Sequence, residues 1–163
     1  ANEIKKPYPI RLGNVGCNMS HILIIQTAFL MGLESVLIFE DDVVLHNQFR
    51  QKIDQILLDL PEDWEILMFG GTHRQAPERI TDNIYRVTKA FATHAYIIRK
   101  SLFKTVLDGS SDFDQPLDCY YTELQKRGTT YITNPPMAWQ AAGFSDIERR
   151  EMNYDFIKTN EQG

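Results

Sequence analysis

Apolar runs separated by polar breaks divide the chain into alternating predicted helices and strands. The longest run, from about Asn14 to Met31, is apolar on nearly every face and precedes Gly32, a residue type that commonly ends helices. This pattern predicts a buried helix, with Asn14 or Asn18 as a capping residue at its start. Three later helices are predicted from apolar spacing, capping residues and stop signals, at about 48–60, 101–109 and 117–126.

Short runs rich in β-branched and aromatic residues predict the strands. These runs lie at 35–39, 64–69, 84–87, 95–98 and 129–133. The first, SVLIF, is continuously apolar, which is typical of a strand covered on both faces, as in a parallel sheet. A polar turn region between the third and fourth runs favours an antiparallel pairing of those two strands. Strands alternating with helices predict an α/β domain whose mixed sheet is flanked by helices.

The size of the chain limits it to one domain. It has 163 residues, of which 43% are hydrophobic, enough for one core of ordinary size and too few for a second. The polar, proline-containing start predicts an N-terminal arm or loop over 1–13. The main domain is predicted over 14–150 and a C-terminal tail over 151–163.

Charge and composition exclude several classes of function. The net charge is -5 and the basic residues are scattered, so a nucleic-acid or anionic-membrane partner is not expected. No run reaches the roughly 18 uncharged apolar residues of a membrane span, and the start lacks the apolar core of a signal peptide. Cys17 and Cys119 match no CxxC spacing. We therefore expect a cytoplasmic protein, or one of the endoplasmic reticulum lumen if the chain is a fragment.

The stretch VLIFEDDVVL at 36–45 places three acids directly after an apolar strand. Ligands of open α/β sheets bind at the carboxyl ends of strands, where Glu40, Asp41 and Asp42 lie. If the extended conformation persists, Glu40 and Asp42 share one face while Asp41 points away, which makes a DxD-like pair. Crowded carboxylates of this kind suit Mn²⁺ or Mg²⁺. The alternative is a solvated acidic loop with Glu40 in an ordinary salt bridge.

Five sequence blocks in a fixed order carry a family resemblance. They are GCNMSH at 16–21, LIFEDDVVL at 37–45, DWEILMFGG at 63–71, THAYIIRK at 93–100 and QPLD at 115–118. Together they resemble the family-25 glycosyltransferases. The resemblance implies a GT-A-like fold, here as a reduced single domain, and inverting transfer of galactose or glucose from a UDP-sugar. It also implies Mn²⁺ as cofactor and a hydroxyl acceptor on a glycan or protein. The family's opening INLDRR-like stretch, which helps hold the nucleotide base, has no counterpart before Gly13.

The resemblance also implies roles for individual acids. Asp42 would bind the metal directly, Glu40 would face the nucleotide ribose or a metal-bound water, and Asp41 would support the turn. Asp118 matches the family's PxD block and is a candidate catalytic base, the alternative being an ordinary first-turn acid of a helix. Asp146, in GFSDI, is the second candidate for the base or a late partner of the metal site.

Several further residues are candidates with open alternatives. Ser20 and His21, placed near a helix start, could line a phosphate or sugar pocket together with helix N–H groups, or serve only as capping residues. His94 could lie under the donor sugar, although packing at a strand start is favoured. The DFD stretch at 112–114 is a rival DxD, interpreted as a surface loop near the acceptor. His73 is kept as a possible third metal ligand from a loop.

Two other functions compete with an inverting hexosyltransferase. The first is a non-catalytic carbohydrate-binding or assembly domain derived from such an enzyme, which the unmatched nucleotide-binding stretch favours. The second is a metal-dependent phosphoesterase, which is disfavoured because it needs two clustered metal sites and the sequence offers one good chelate.

Overall fold

The computed structural model describes residues 11–109, 115–145 and 147–159, which form a mixed α/β structure. The helices are α1 (Leu12–Leu30), α2 (Phe49–Leu58), α3 (Lys100–Gly109), α4 (Leu117–Gln125) and α5 (Asp155–Thr159). The strands are β1 (Ser35–Phe39), β2 (Val43–Leu45), β3 (Ile66–Met68), β4 (Thr72–His73), β5 (Glu78–Arg79), β6 (Ile84–Arg86), β7 (Ala90–Phe91), β8 (Ala95–Arg99), β9 (Thr130–Thr133), β10 (Ala138–Gln140), β11 (Gly143–Ser145) and β12 (Arg150–Met152).

One six-stranded sheet organises the fold, in the order β1-β8-β3-β9-β6-β5. Its β3 and β9 run parallel, and its other neighbours run antiparallel. Three two-stranded ribbons, β2 with β10, β4 with β7 and β11 with β12, extend the structure around it. The predicted α/β class with a mixed, helix-flanked sheet is therefore confirmed.

The two faces of the sheet bury different helices, because neighbouring strand residues point to opposite sides. Ile66 and Met68 belong to a core cluster with buried side chains of α1, α3 and α4. Leu67, between them, belongs to a second cluster with α2 and with residues around β10. Since both faces are covered, β3 and β9 are buried along their whole length.

Two predictions about the elements are wrong. Strand β1 is not covered on both faces: it is an edge strand that pairs, within the described residues, with β8 alone, and Leu37 is 42% exposed. Strands β6 and β8 do not pair with each other, because β3 and β9 lie between them. After β11, the described residues carry β12 and α5, and Ile157 of α5 is fully buried.

The start of α1 is displaced from its predicted place. The helix begins at Leu12, and the Asn14 side chain accepts a hydrogen bond from the Arg11 N–H at 2.9 Å. Arg11 is therefore the N-cap, and Asn14, the third residue of the helix, bonds back to it, so neither Asn14 nor Asn18 occupies the predicted N-cap position. No helix within the described ranges is both long enough and apolar enough to cross a membrane.

Two buried amides join helices to neighbouring segments. Asn18 of α1 donates to the Gln115 carbonyl at 2.8 Å and accepts the Leu117 N–H at 2.9 Å, which connects α1 to the start of α4. Gln125, at the end of α4, accepts the Ala90 N–H at 2.7 Å and donates to the Ala90 carbonyl at 2.8 Å. The amide of Gln125 therefore bonds to both backbone groups of Ala90, as a neighbouring strand would, and it holds β7 against the end of α4.

We expect Gln125→Leu to lower the free energy of unfolding by about 2–4 kcal/mol, because it leaves both polar backbone groups of buried Ala90 without these partners. Urea denaturation measures the change. The matched control is Gln26→Leu on the exposed side of α1, which should change stability by less than about 0.5 kcal/mol. If the two substitutions lowered the free energy of unfolding equally, the proposed stabilising role of the Gln125–Ala90 hydrogen bonds would be contradicted.

Candidate functional site

An open cavity of about 1080 Å³ lies where the carboxyl end of β1 meets one side of α1. Its other walls are the segment after β7, the start of α4, the β11–β12 ribbon and α5. The predicted site residues that line it are Ser20, His21, Glu40, Asp41, Asp42 and Asp118. The tertiary structure therefore brings together residues that are separated by almost 100 positions in the sequence.

The three acids lie in a turn, not in an extended strand. Strand β1 ends at Phe39, and the Val43 N–H donates to the Glu40 carbonyl at 3.3 Å. The prediction that strand alternation sets the directions of these side chains is therefore wrong. All three acids still line the cavity, and Asp41 is the exposed member of the set.

The carboxylate of Glu40 is held by partners from two other elements. It accepts a hydrogen bond from the Thr93 hydroxyl at 2.8 Å, and its Oε1 lies 3.3 Å from His21 Nε2. Burial alone would raise the pKa of Glu40, but the hydrogen bonds from His21 and Thr93 outweigh burial and lower it. Glu40 is therefore ionised at neutral pH.

A chain of polar groups runs from Glu40 into the core. The other ring nitrogen of His21, Nδ1, lies 2.9 Å from the Tyr96 hydroxyl, which lies 3.1 Å from the Tyr121 hydroxyl. The His21 and Tyr96 rings are also stacked. Burial raises the pKa of Tyr96 well above its usual value, so its hydroxyl keeps its proton. These contacts fix the orientation of the His21 ring.

Asp42 presents an oxygen that lacks a partner. Its Oδ2 accepts a hydrogen bond from Gln140 Nε2 at 3.1 Å, whereas its buried Oδ1 has no hydrogen-bond partner among the described residues. Burial raises the pKa of Asp42, and the nearby Glu40 carboxylate raises it further. A cation would satisfy the free oxygen and relieve the repulsion between the two carboxylates. The donor set therefore fits a hard divalent ion such as Mn²⁺ or Mg²⁺.

Asp118 faces the same cavity from the first turn of α4. Its carboxylate accepts hydrogen bonds from the backbone of Ala92 and Cys119, but burial is the stronger effect and raises its pKa. Ala92 has a φ of 89°, a left-handed conformation that is unfavourable for alanine. The backbone of Ala92 bonds to the Asp118 carboxylate, and the hydroxyl of the next residue, Thr93, donates to Glu40. This strained turn therefore contacts both acids.

Other predicted residues take different positions. Ser20 and His21 lie two turns inside α1, so the prediction that helix N-terminal N–H groups accompany them is wrong; the Ser20 hydroxyl donates to the Gly16 carbonyl at 3.0 Å. His94 is fully buried and does not line the cavity, and its backbone carbonyl accepts the Glu40 N–H at 2.9 Å. His73 lies in β4, outside the lining. Asp146 and the DFD stretch at 112–114 lie outside the described residues.

The sequence did not single out several side chains of the site. Thr93 and Gln140, which bond to Glu40 and Asp42, come from distant segments; Thr93 lies in the THAYIIRK block, but Gln140 follows no recognisable pattern. The register of β10 against β2 brings Gln140 close to Asp42, because Gln140 pairs with Val43, the residue after Asp42. Arg74 and Arg150 are the basic residues among the described side chains that line the cavity. They share the cavity with the acids only in the folded chain.

Comparison with known proteins identifies the relatives of the chain. Procollagen galactosyltransferase 2 of Mus musculus is 30% identical over 94 residues, which are 53% of this chain and 15% of that protein. Procollagen galactosyltransferase 2 of Homo sapiens is 29% identical over 105 residues, 58% of this chain and 17% of that protein. Inactive glycosyltransferase 25 family member 3 of Homo sapiens is 35% identical over 72 residues, 42% of this chain and 12% of that protein. The chain thus matches less than a fifth of the length of each.

The family profile described as glycosyltransferase family 25 (LPS biosynthesis protein) matches residues 1–121. The matched region contains the whole of α1, the acidic turn after β1, the strained turn at Ala92 and the Asp118 carboxylate. The cavity is therefore built mainly from residues that the family profile includes. The chain belongs to glycosyltransferase family 25.

Proposed function

We propose that the chain is a metal-dependent inverting glycosyltransferase domain of GT-A-like architecture. It would transfer galactose or glucose from a UDP-sugar to a hydroxyl group of a glycan or protein. One observation carries the proposal: the Asp42 side chain, whose Oδ1 has no hydrogen-bond partner among the described residues, lines a cavity together with the ionised Glu40 and the half-buried Asp118. Family membership and the two galactosyltransferase relatives support the same reaction class.

The acidic turn is the proposed binding site of the sugar donor, the UDP-sugar. Asp42 would hold Mn²⁺ or Mg²⁺ through its free oxygen, with Glu40 beside it facing the ion or the nucleotide ribose. A divalent ion bound there supplies positive charge that stabilises the departing diphosphate. Arg74 and Arg150, which line the same cavity, would add positive charge for the phosphates.

Asp118 is the proposed catalytic base. Inverting transfer requires a group that removes the proton of the acceptor hydroxyl on the face opposite the diphosphate. Burial raises the pKa of Asp118, which makes its carboxylate a stronger proton acceptor than an exposed aspartate. The Ala92 and Cys119 backbone groups hold the carboxylate in place while it accepts the proton. Asp146 remains a second proposed base.

A non-catalytic carbohydrate-binding or assembly domain is the second candidate. The observation that favours it is the 35% identity to a human relative named as an inactive family member. Incubation with UDP-galactose or UDP-glucose, Mn²⁺ and hydroxyl acceptors separates the two candidates, because only an enzyme releases UDP repeatedly. Absence of donor hydrolysis, of transfer and of metal-dependent thermal stabilisation would overturn the proposed enzyme.

We expect Asp42→Asn to reduce transfer by about 100-fold or more and to remove the thermal stabilisation by Mn²⁺, because it removes the charge of the metal-binding oxygen. The matched control is Asp41→Asn, at the exposed neighbour, with a loss of about tenfold or less. Activity assays and thermal unfolding with and without Mn²⁺ measure both effects. Equal losses in the two variants would contradict the unequal roles of these acids.

Asp118→Asn should lower kcat by about 10²–10⁴-fold, because the amide cannot accept the acceptor proton, while Mn²⁺ stabilisation of the folded protein is retained. The control is Glu123→Gln, an acid on the same helix that is exposed and paired with Lys126. Steady-state kinetics measure the change. Wild-type kcat in a folded Asp118→Asn protein would exclude Asp118 as the base and leave Asp146 to be tested.

Thr93→Val should destabilise the protein by about 1–2 kcal/mol at neutral pH, because it removes a hydrogen bond to the charged Glu40 carboxylate. The pKa of Glu40 is lowered in the folded state, so its contribution to stability is present above its ordinary value of 4.5. That contribution is lost as the pH falls through the lowered pKa. The stability difference between wild type and Thr93→Val should therefore shrink in acid.

Urea denaturation at neutral pH and at successively lower pH values measures this trend. The control is Thr88→Val, because the Thr88 hydroxyl is exposed and bonds to Gln75, away from Glu40. Its effect should stay small and should not depend on the Glu40 titration. A pH-independent loss in Thr93→Val would contradict the role of Thr93 in keeping Glu40 ionised.

A further inference from the structure

A cluster of three different ligand types lies beside the acidic turn. Cys17 and His21 are four residues apart in α1 and therefore share one face of the helix. Glu40, directly after β1, lies beside them, with its Oε1 3.3 Å from His21 Nε2. One possible ligand atom from each residue, a sulfur, a ring nitrogen and a carboxylate oxygen, lies within 4.8 Å of the others.

We propose that Cys17, His21 and Glu40 form a second cation site, one that takes a thiolate-binding ion such as Zn²⁺. Thiolate and imidazole ligands favour Zn²⁺ over Mn²⁺ and Mg²⁺, which prefer oxygen ligands. The Asp42 oxygen offers the opposite preference, so the two sites differ in chemistry although they share a cavity. Three protein ligands leave the fourth position of a tetrahedral ion open to that cavity.

The surrounding contacts match those of a metal site. A metal-bound histidine normally donates its other ring N–H to an oxygen, and His21 Nδ1 lies 2.9 Å from the Tyr96 hydroxyl. Because that hydroxyl can accept as well as donate, it allows the tautomer in which Nε2 is free to bind the ion. The proposed carboxylate ligand is likewise supported, since Thr93 donates to Glu40 at 2.8 Å.

The thiol is protonated when the cation is absent. Burial raises the pKa of Cys17 to about 12, and the nearby Glu40 carboxylate contributes to the increase. Binding therefore replaces the S–H bond with a sulfur–metal bond and releases one proton to the solvent. Cys17 is half-buried and lines the open cavity, so the ion and the proton both have a path to solvent.

Sharing of Glu40 links this site to the acidic turn. An ion bound through Cys17 and His21 would withdraw the Glu40 carboxylate from Asp42. A thiolate-binding ion is then expected to inhibit, and this consequence alone rests on the proposed transferase function. Binding itself is independent of that function and is tested without an activity assay.

Titration of the purified full chain with Co²⁺, a spectroscopic substitute for Zn²⁺, tests the site. A cobalt–thiolate bond produces a sulfur-to-metal charge-transfer band in the near ultraviolet. We expect this band to saturate at one equivalent in the wild-type protein and to disappear on addition of Zn²⁺. The band should be lost in Cys17→Ser, and the affinity should fall by about 10-fold or more in His21→Gln.

Two control variants make the result specific. Cys119→Ser removes the other thiol that lines the cavity, and Asp42→Asn removes the proposed Mn²⁺ ligand; both should retain the band. Thermal stabilisation of the wild-type protein by Zn²⁺ gives an independent readout if a variant does not fold. Absence of the band in folded wild-type protein, or its loss in Cys119→Ser but not in Cys17→Ser, would overturn the proposal. If Asp42→Asn protein has no transferase activity but still shows the cobalt–thiolate band, the second cation site exists independently of the proposed transferase function.

Discussion

The side-chain contacts of Glu40 hold the site together. Its carboxylate meets His21 from α1 and Thr93 from the segment after β7, so one acid joins a helix, an edge strand and a turn. Its own backbone N–H donates to the His94 carbonyl at 2.9 Å, which extends the pairing of β1 with β8 past the last strand residue. A buried carboxylate needs such partners, because its charge would otherwise be unfavourable away from water. The positions of α1 and of the acidic turn therefore depend on one another.

The contact between α1 and Glu40 helps explain why polar residues lie on the buried side of α1. The buried side of the helix carries Asn14, Asn18 and His21 in its first half, where it faces the cavity and the start of α4, and Ile25 and Ala28 in its second half. Each of the three polar residues has a specific hydrogen-bond partner. The apolar residues Leu12, Met19, Leu23 and Leu30 lie exposed on the opposite side. The helix is therefore oriented by polar contacts at one end and by apolar packing at the other.

The acids that line the cavity differ in pKa because their surroundings differ. Hydrogen bonds keep Glu40 ionised, whereas burial raises the pKa of both Asp42 and Asp118. Asp42 retains an oxygen that has no hydrogen-bond partner within the described part of the chain, and Asp118 accepts hydrogen bonds from the backbone of Ala92 and Cys119. The three carboxylates therefore differ in protonation tendency and in hydrogen bonding although they line one cavity. This division is the physical basis for assigning the three groups separate roles in a transfer reaction.

The sequence by itself determined the α/β class, five strand positions, the main helices and the place of the three acids after β1, because apolar periodicity and turn residues are local signals. It also indicated Glu40, Asp41 and Asp42 as candidates, since charge directly after an apolar strand is visible in the chain, whereas Asp118 became a candidate through the family resemblance of the QPLD block. Strand order was not visible: SVLIF has the composition of a central strand, yet β1 lies at an edge, because pairing depends on distant residues.

The tertiary structure decided the partners of the acids. Thr93, Gln140 and Cys17 approach them from separate elements, and no spacing in the chain encodes those contacts. It also decided that the acids lie in a turn, and that Ser20 and His21 lie inside a helix and not at its start. Local patterns specify which residues carry charge and where elements form. Only packing fixes which charges are neutralised, which remain free and which meet, because those properties depend on burial and on distances between remote segments.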